Sequence, residues 1–190
     1  MLQNELTDLL GLSVPILQAP IGSASCPALA AAVSNAGGLG MLALTWKSID
    51  SARLAIRKTK QLTNKPFGVN LVLAWDQRER LEVCLEEHVP VLSFSWGDPT
   101  PYTVIARNAG AKVMITVASA AAAKQAVELG ADAVVAQGWE AGGHVLGEVA
   151  TMVLVPCVAG FADIDSWTRF RPCRLSRQVA WPMGEALQLL

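Results

Sequence analysis

Short apolar runs alternate with Ala-rich or charge-faced segments as far as about position 136, and the spacing predicts strands and helices in turn. Pro15–Pro20 (PILQAP) is a short apolar run closed by proline, expected as a first strand. Pro27–Asn35 is Ala-rich, carries proline where a first helical turn tolerates it, and runs into Gly37-Gly38, a stop signal. Leu39–Leu44 is the second expected strand and Ser48–Thr63 a helix of mixed polarity. Phe67–Leu73 follows as a third strand, then Asp76–Glu87 as a polar-faced helix and Val89–Ser95 as a fourth strand. Pro101–Ala109 is expected helical, Lys112–Val117 the fifth strand, Ser119–Leu129 a helix opened by a serine cap, and Ala133–Ala136 the sixth strand.

Strands alternating with helices at this spacing predict βαβ units and a parallel sheet. Two architectures compete: an open doubly wound sheet and a closed (β/α)8 barrel. The segment after the first run reads IGSASC rather than GxGxxG, which weakens the dinucleotide-binding open sheet. Six units in about 136 residues project to a barrel of ordinary size.

Composition supports this picture. The chain has 190 residues, 52% of them hydrophobic, with 16% charged and a mean hydropathy of +0.37, enough to build a core and exclude a disordered chain. No apolar stretch reaches a membrane span, and no signal-peptide pattern opens the sequence. High hydrophobicity without a span suits strands buried on both faces. A net charge of −1 argues against nucleic-acid binding. Cys26, Cys84, Cys157 and Cys173 lack metal-like spacing and read as thiols of a reducing, cytoplasmic compartment. No metal site is expected.

The alternation stops near Gly160. Four of nine arginines fall between Arg169 and Arg177, and Trp167, Phe170 and Trp181 lie among them. This shift marks a boundary, taken as residues 1–157 for the barrel portion and 158–190 for an unrelated tail.

The densest candidate chemistry is Gln137–His144 (QGWEAGGH), directly after the sixth run. In a parallel sheet this is the C-terminal edge, where ligands bind. Gly142 and Gly143 permit close approach of backbone N–H groups to an anion or planar ring. Gln137 offers a donor and an acceptor, and His144 a proton near neutral pH. Against this, AGGH is a short, permissive string, compatible with an ordinary βα loop and a surface histidine. Asn70, inside the apolar strand GVNLVL, needs a partner, either a ligand or a neighbouring strand. Gln18 is similar but weaker. Ser93 and Ser95 read as interior packing, His88 as a helix C-terminal charge partner, and Glu140 as solvated rather than as a general base.

Taken together and in order, PILQAPIG, NAGGLGML, PFGVNL and VMITVASAAAAKQAVELGADAVVAQGWEAGGH resemble the nitronate monooxygenase family over about Leu10–Pro156. The resemblance implies an FMN-dependent (β/α)8 barrel, incomplete here, with about six βα units. It implies that Asn70 and Gln137 match flavin-binding side chains and that Gly142 and Gly143 approach the flavin or its phosphate. His144 would match the active-site histidine, as base or orienter of an anionic substrate. The implied reaction oxidises an alkyl nitronate with dioxygen to a carbonyl compound and nitrite. Related flavin barrels sharing the AGGH-type loop imply alternatives: an NADH:quinone reductase, an enoyl-thioester reductase, or a non-catalytic barrel remnant. The family's last two strands and their phosphate loops are not legible. Back-translating Gln178–Leu190 and stepping one base upstream gives a Gly-Gly-containing string like that missing loop. A frameshift between about Pro156 and Arg177 is therefore expected, and with it weak or absent FMN binding. Oligomeric state is not predicted by the sequence.

Overall fold

The computed structural model describes residues 3–160. Among these, five strands form one parallel sheet in chain order: β1 (Gly40–Ala43), β2 (Phe67–Leu73), β3 (Val91–Gly97), β4 (Lys112–Val117) and β5 (Ala133–Ala136). Between them run α2 (Pro27–Asn35), α3 (Ile49–Leu62), α4 (Arg78–Glu86), α5 (Thr100–Asn108) and α6 (Ala120–Glu128). The chain opens with α1 (Glu5–Leu10), and α7 (Thr151–Gly160) follows β5. This is the strand–helix order of a (β/α)8 barrel, incomplete among the described residues. The expected boundary between residues 157 and 158 falls inside α7; the rest of the expected tail, with its arginines and tryptophans, and most of the frameshift range lie beyond residue 160, outside the described residues.

Three strands match their predicted limits to the residue; the others differ at their ends. Two helices, α1 and α7, were not anticipated. Nor is PILQAP a named strand. It contributes one bridge, Leu17 opposite Leu39. The amide of Gln18 donates to Leu39 O at 2.9 Å and that of Leu39 to Ile16 O at 2.9 Å. Prolines at positions 15 and 20 limit the ladder, because each lacks an N–H. The Gln18 side chain extends it instead: Nε2 donates to Met41 O at 3.0 Å, and Oε1 accepts from Met41 N at 3.2 Å. Gln18 is thus a structural clip.

Alternation along each strand separates two apolar clusters. Leu42, Val69, Leu71, Leu92, Phe94, Val113 and Ile115 face the helices and meet Ala52, Ile56, Leu81, Cys84 and Ala106. Each fully buried Leu or Phe here contributes about 1.5–3 kcal/mol. On the inner face, Met41, Val91, Met114 and Val135 meet Leu10, Leu12, Leu17 and Leu39. Leu6 and Leu9 of α1 also lie against this cluster, so α1 closes the N-terminal end of the inner face. That helix starts at a capping box, Asn4 with Thr7, and stops at Gly11 in the left-handed region. Gly68 keeps room for Met41, whose Sδ lies where a Cβ at position 68 would be. The helix layer is tied laterally where Arg53 and Arg57 of α3 pair with Glu86 and Glu87 of α4.

Candidate functional site

The inner face changes character along the strands. Beyond the apolar floor it presents Asn70 from β2 and Ser93 and Ser95 from β3. The Asn70 side chain is 5% exposed. Its Nδ2 donates to Ser93 O at 3.2 Å and lies within reach of Ser93 Oγ (3.3 Å) and Ser95 Oγ (3.5 Å). The requirement for a partner is therefore met on the neighbouring strand by Nδ2, while Oδ1 accepts no hydrogen bond among the described residues. Ser93 and Ser95, anticipated as interior packing, serve as these partners.

At the end of β3 the register breaks. Ser95 stands opposite Val72 and Gly97 opposite Leu73, leaving Trp96 as an extra residue. Trp96 has φ 59° and Gly97 φ 66°. Such bulges re-aim side chains at barrel rims. Here the indole meets His144 edge to face, with ring centroids 5.9 Å apart and planes at 88°. That contact brings the loop after β5 to the C-terminal end of β3, the strand whose Ser93 and Ser95 lie within reach of Asn70.

The loop is laced by its own polar groups. Gln137 is 7% exposed; its Nε2 donates to His144 O at 3.2 Å, and its Oε1 accepts from Leu146 N at 3.0 Å. Trp139 N donates to Val149 O at 3.0 Å. Glu140, exposed, accepts from Thr151 N at 2.8 Å through Oε1, at the first residue of α7. The helix opening thus carries a carboxylate, which its dipole and free N–H groups favour. Gly138 threads between these groups: a Cβ there would strike Thr151 and Glu140. Gly142, Gly143 and His144 are exposed, and a Cβ at either glycine would meet no atom within 4 Å. Gly143 takes φ 80°, which suits glycine.

The structure joins Asn70 to Ser93 and Ser95 and Gln137 to the main chain of His144, and Trp96 of β3 links the second group to the strand of the first; Gly142 and Gly143 stand on the open lip of the His144 loop. His88 stands apart, one residue past the C-cap of α4 at φ 49°. Sequence reasoning missed Trp96, because the extra residue shows only in its pairing with β2, where Ser95 and Gly97 face consecutive residues. Three further tryptophans lie just past strands: Trp46 after β1, Trp75 after β2 and Trp139 after β5, 57%, 57% and 60% exposed. Trp46 and Trp75 touch edge to face at 6.0 Å. Among the described residues, no three His, Cys, Asp or Glu side chains gather as a metal site, and no helix is long and apolar enough to cross a membrane.

A family model described as nitronate monooxygenase matches residues 3–79 and 73–164, most of the chain. The chain belongs to the nitronate monooxygenase family. Within and around that family its relatives differ in chemistry. It is 40% identical over 164 residues to a (3aS,4S,5R,7aS)-5-hydroxy-7a-methyl-1-oxo-octahydro-1H-indene-4-carboxyl-CoA dehydrogenase of Rhodococcus jostii, covering 86% of this chain and 46% of the relative. It is 38% identical to a nitronate monooxygenase of Pseudomonas aeruginosa, over 74% of this chain and 52% of that one. Among solved structures, FabK from Thermotoga maritima superposes with a TM-score of 0.83 at 44% identity, over 86% of this chain and 53% of that one. The chain thus spans about half the length of the curated relatives it matches.

Proposed function

We propose that this chain carries the flavin-facing part of an FMN-dependent oxidoreductase that oxidises alkyl nitronates with dioxygen to a carbonyl compound and nitrite. The observation that supports the reading is the meeting of His144 with β3 through Trp96, on the strand whose serines bond Asn70. The residues present fit a planar, anionic cofactor. Asn70 offers an acceptor on the inner face, and Gly142 and Gly143 leave an unobstructed lip with main-chain N–H groups. When bound, FMN supplies the redox chemistry. Residues 1–157 form this portion and 158–190 a separate tail, with the protein acting in the cytoplasm, where its free thiols suit a reducing medium.

The protein's own share is position and charge. A nitronate is a resonance anion, with negative charge on its oxygens. The exposed His144 imidazole donates a hydrogen bond to such an oxygen, or takes the proton that converts a neutral nitroalkane into its nitronate. Asn70, Gly142 and Gly143 would hold the flavin, with Gln137 beneath the loop.

A second reading, an enzyme acting on acyl thioesters with a flavin and NADH, is favoured by one observation. The dehydrogenase and FabK relatives are 40% and 44% identical, against 38% for the Pseudomonas nitronate monooxygenase. The discriminating experiment is anaerobic. Because weak FMN binding is expected, purified protein is kept in added FMN, with free FMN as control, and its optical spectrum is followed on adding propyl-1-nitronate or NADH. Bleaching beyond the control by the nitronate alone is expected. Bleaching by NADH alone would transfer the assignment to the second reading, and a spectrum that never departs from the free-FMN control would point to a non-catalytic remnant.

A further inference from the structure

Trp96 occupies a conformation that its side chain does not favour. A bulky residue at φ 59° is a backbone outlier, and such outliers persist only where the surroundings impose them. Three features impose this one. Ser95 and the residues before it are held in register with β2, with Asn70 bonded to Ser93 across the pair. Gly97 then passes so close to Leu73 that a Cβ would strike its carbonyl group. The extra residue between the two must loop out. Leu92 and Phe94 point to the helix-side core, and simple alternation would send the residue two beyond Phe94 the same way. The bulge turns it to the opposite side, onto the imidazole of His144.

Among the described residues His144 is otherwise held through its main chain, where its carbonyl accepts from Gln137 Nε2 at 3.2 Å. Its ring is exposed and stands on a glycine-rich segment with little stiffness of its own. We infer that Trp96 is a positioning residue for His144: the strained bulge holds the indole edge to face against the imidazole, while Gln137 fixes the main chain beneath it. This rests on the reading that His144 meets the substrate, but the geometric part stands independently of flavin.

The test uses the full chain, with and without FMN, and the variants Trp96→Phe, Trp96→Ala and Trp96→Gly. Glycine is the informative choice, because it accepts positive φ and relieves the strain while removing the ring. The chain has two histidines, so the His144 ring protons are readily assigned by NMR. In the flavin-free protein the expected result is a ring-current displacement of those protons and a cross-relaxation signal to the indole. Both should be lost in Trp96→Gly and Trp96→Ala, and a ring contact should survive in Trp96→Phe. Trp96→Gly should unfold at the same or higher denaturant concentration than wild type, with unchanged Asn70 and Ser93 signals. In the flavin-loaded enzyme, kcat with nitronate should fall about tenfold in Trp96→Gly with little change in KM, and recover in Trp96→Phe. Unaltered His144 ring signals in Trp96→Gly would overturn the inference. So would a loss of those signals accompanied by equal disturbance at Asn70, which marks a general structural role. Absence of flavin or turnover would count against the proposed function, while the NMR outcome would still decide the role of Trp96.

Discussion

The two ends of the sheet's inner face are built by different physics. At the N-terminal end Met41, Val91, Met114 and Val135 close against Leu10, Leu12, Leu17 and Leu39 as an apolar cluster. At the C-terminal end Asn70, Ser93 and Gln137 are as well buried, and their polar atoms are fixed by directed hydrogen bonds. The floor is held by area removed from water and needs only the right volume. The mouth is held by donors and acceptors that must match one by one, and each mismatch leaves a buried group unpaired. Stability therefore resides mainly in the first region and chemical identity in the second.

The sharpest way to break this contrast is Leu39→Ala. Leu39 is fully buried, and truncation should cost about 2–5 kcal/mol. The urea midpoint should drop accordingly, while the His144 ring signals of the remaining folded protein stay unchanged. Displaced ring signals would show that floor and mouth are one cooperative packing unit.

That division also governs what the sequence reveals. Strands β2, β4 and β5 are legible to the residue because short, mainly apolar and β-branched runs bounded by turn signals admit little else. PILQAP is harder: its apolar pattern is that of a strand, but its prolines limit it to one bridge and leave Gln18 to continue the pairing. The helix α7 carries a readable i, i+3, i+4, i+7 stripe in Thr151, Leu154, Val155 and Val158, all buried. Its exposed side is also apolar, at Met152 and Val153, and Pro156 interrupts it, so periodicity is masked. In the site, residue types are legible and roles are not. Asn70 and Gln137 announce themselves as polar groups in apolar surroundings. That Gln137 spends both ends of its amide on its own loop depends on a backbone path that hydropathy does not encode. Trp96 depends on a one-residue register slip, which leaves no mark on composition.

Cysteine chemistry sharpens the contrast at intermediate cost. Cys84, on α4 against the helix-side core, has its thiol pushed up to about 12 by burial. Cys26, in the segment between the first bridge and α2, is exposed. Iodoacetamide should label Cys26 in the native protein and Cys84 only on unfolding. The sign of the pH effect follows: the folded thiol stays neutral while the unfolded one ionises from about pH 9, so stability falls as pH rises past that point. Between pH 8 and pH 10 the stability advantage of wild type over Cys84→Ala should shrink by about 1.4 kcal/mol, read from urea midpoints. Equal labelling of both thiols in the native state would mean that the helix layer opens as readily as the mouth.

The smallest effect probes how the mouth is fastened to the rest of the fold. Glu140 is exposed, yet its carboxylate accepts from Thr151 N at the opening of α7. Without it that amide becomes an orphan at a helix N-terminus, and the loop Gln137–Thr151 loses a tie near its C-terminal end. Glu140→Ala should cost about 0.5–1 kcal/mol, the usual worth of an exposed cap. Glu140→Gln keeps the acceptor oxygen and removes the charge, so it separates the hydrogen bond from the dipole attraction. The expected readout is amide hydrogen exchange at Thr151, faster in Glu140→Ala and near wild type in Glu140→Gln, with floor residues such as Val91 unaffected. If Thr151 exchange is indifferent to both changes, the loop is fastened by Gly138 and the buried Gln137 alone. If Val91 also exchanges faster, the directed bonds of the mouth contribute to the stability of the apolar floor, and the separation of the two regions fails.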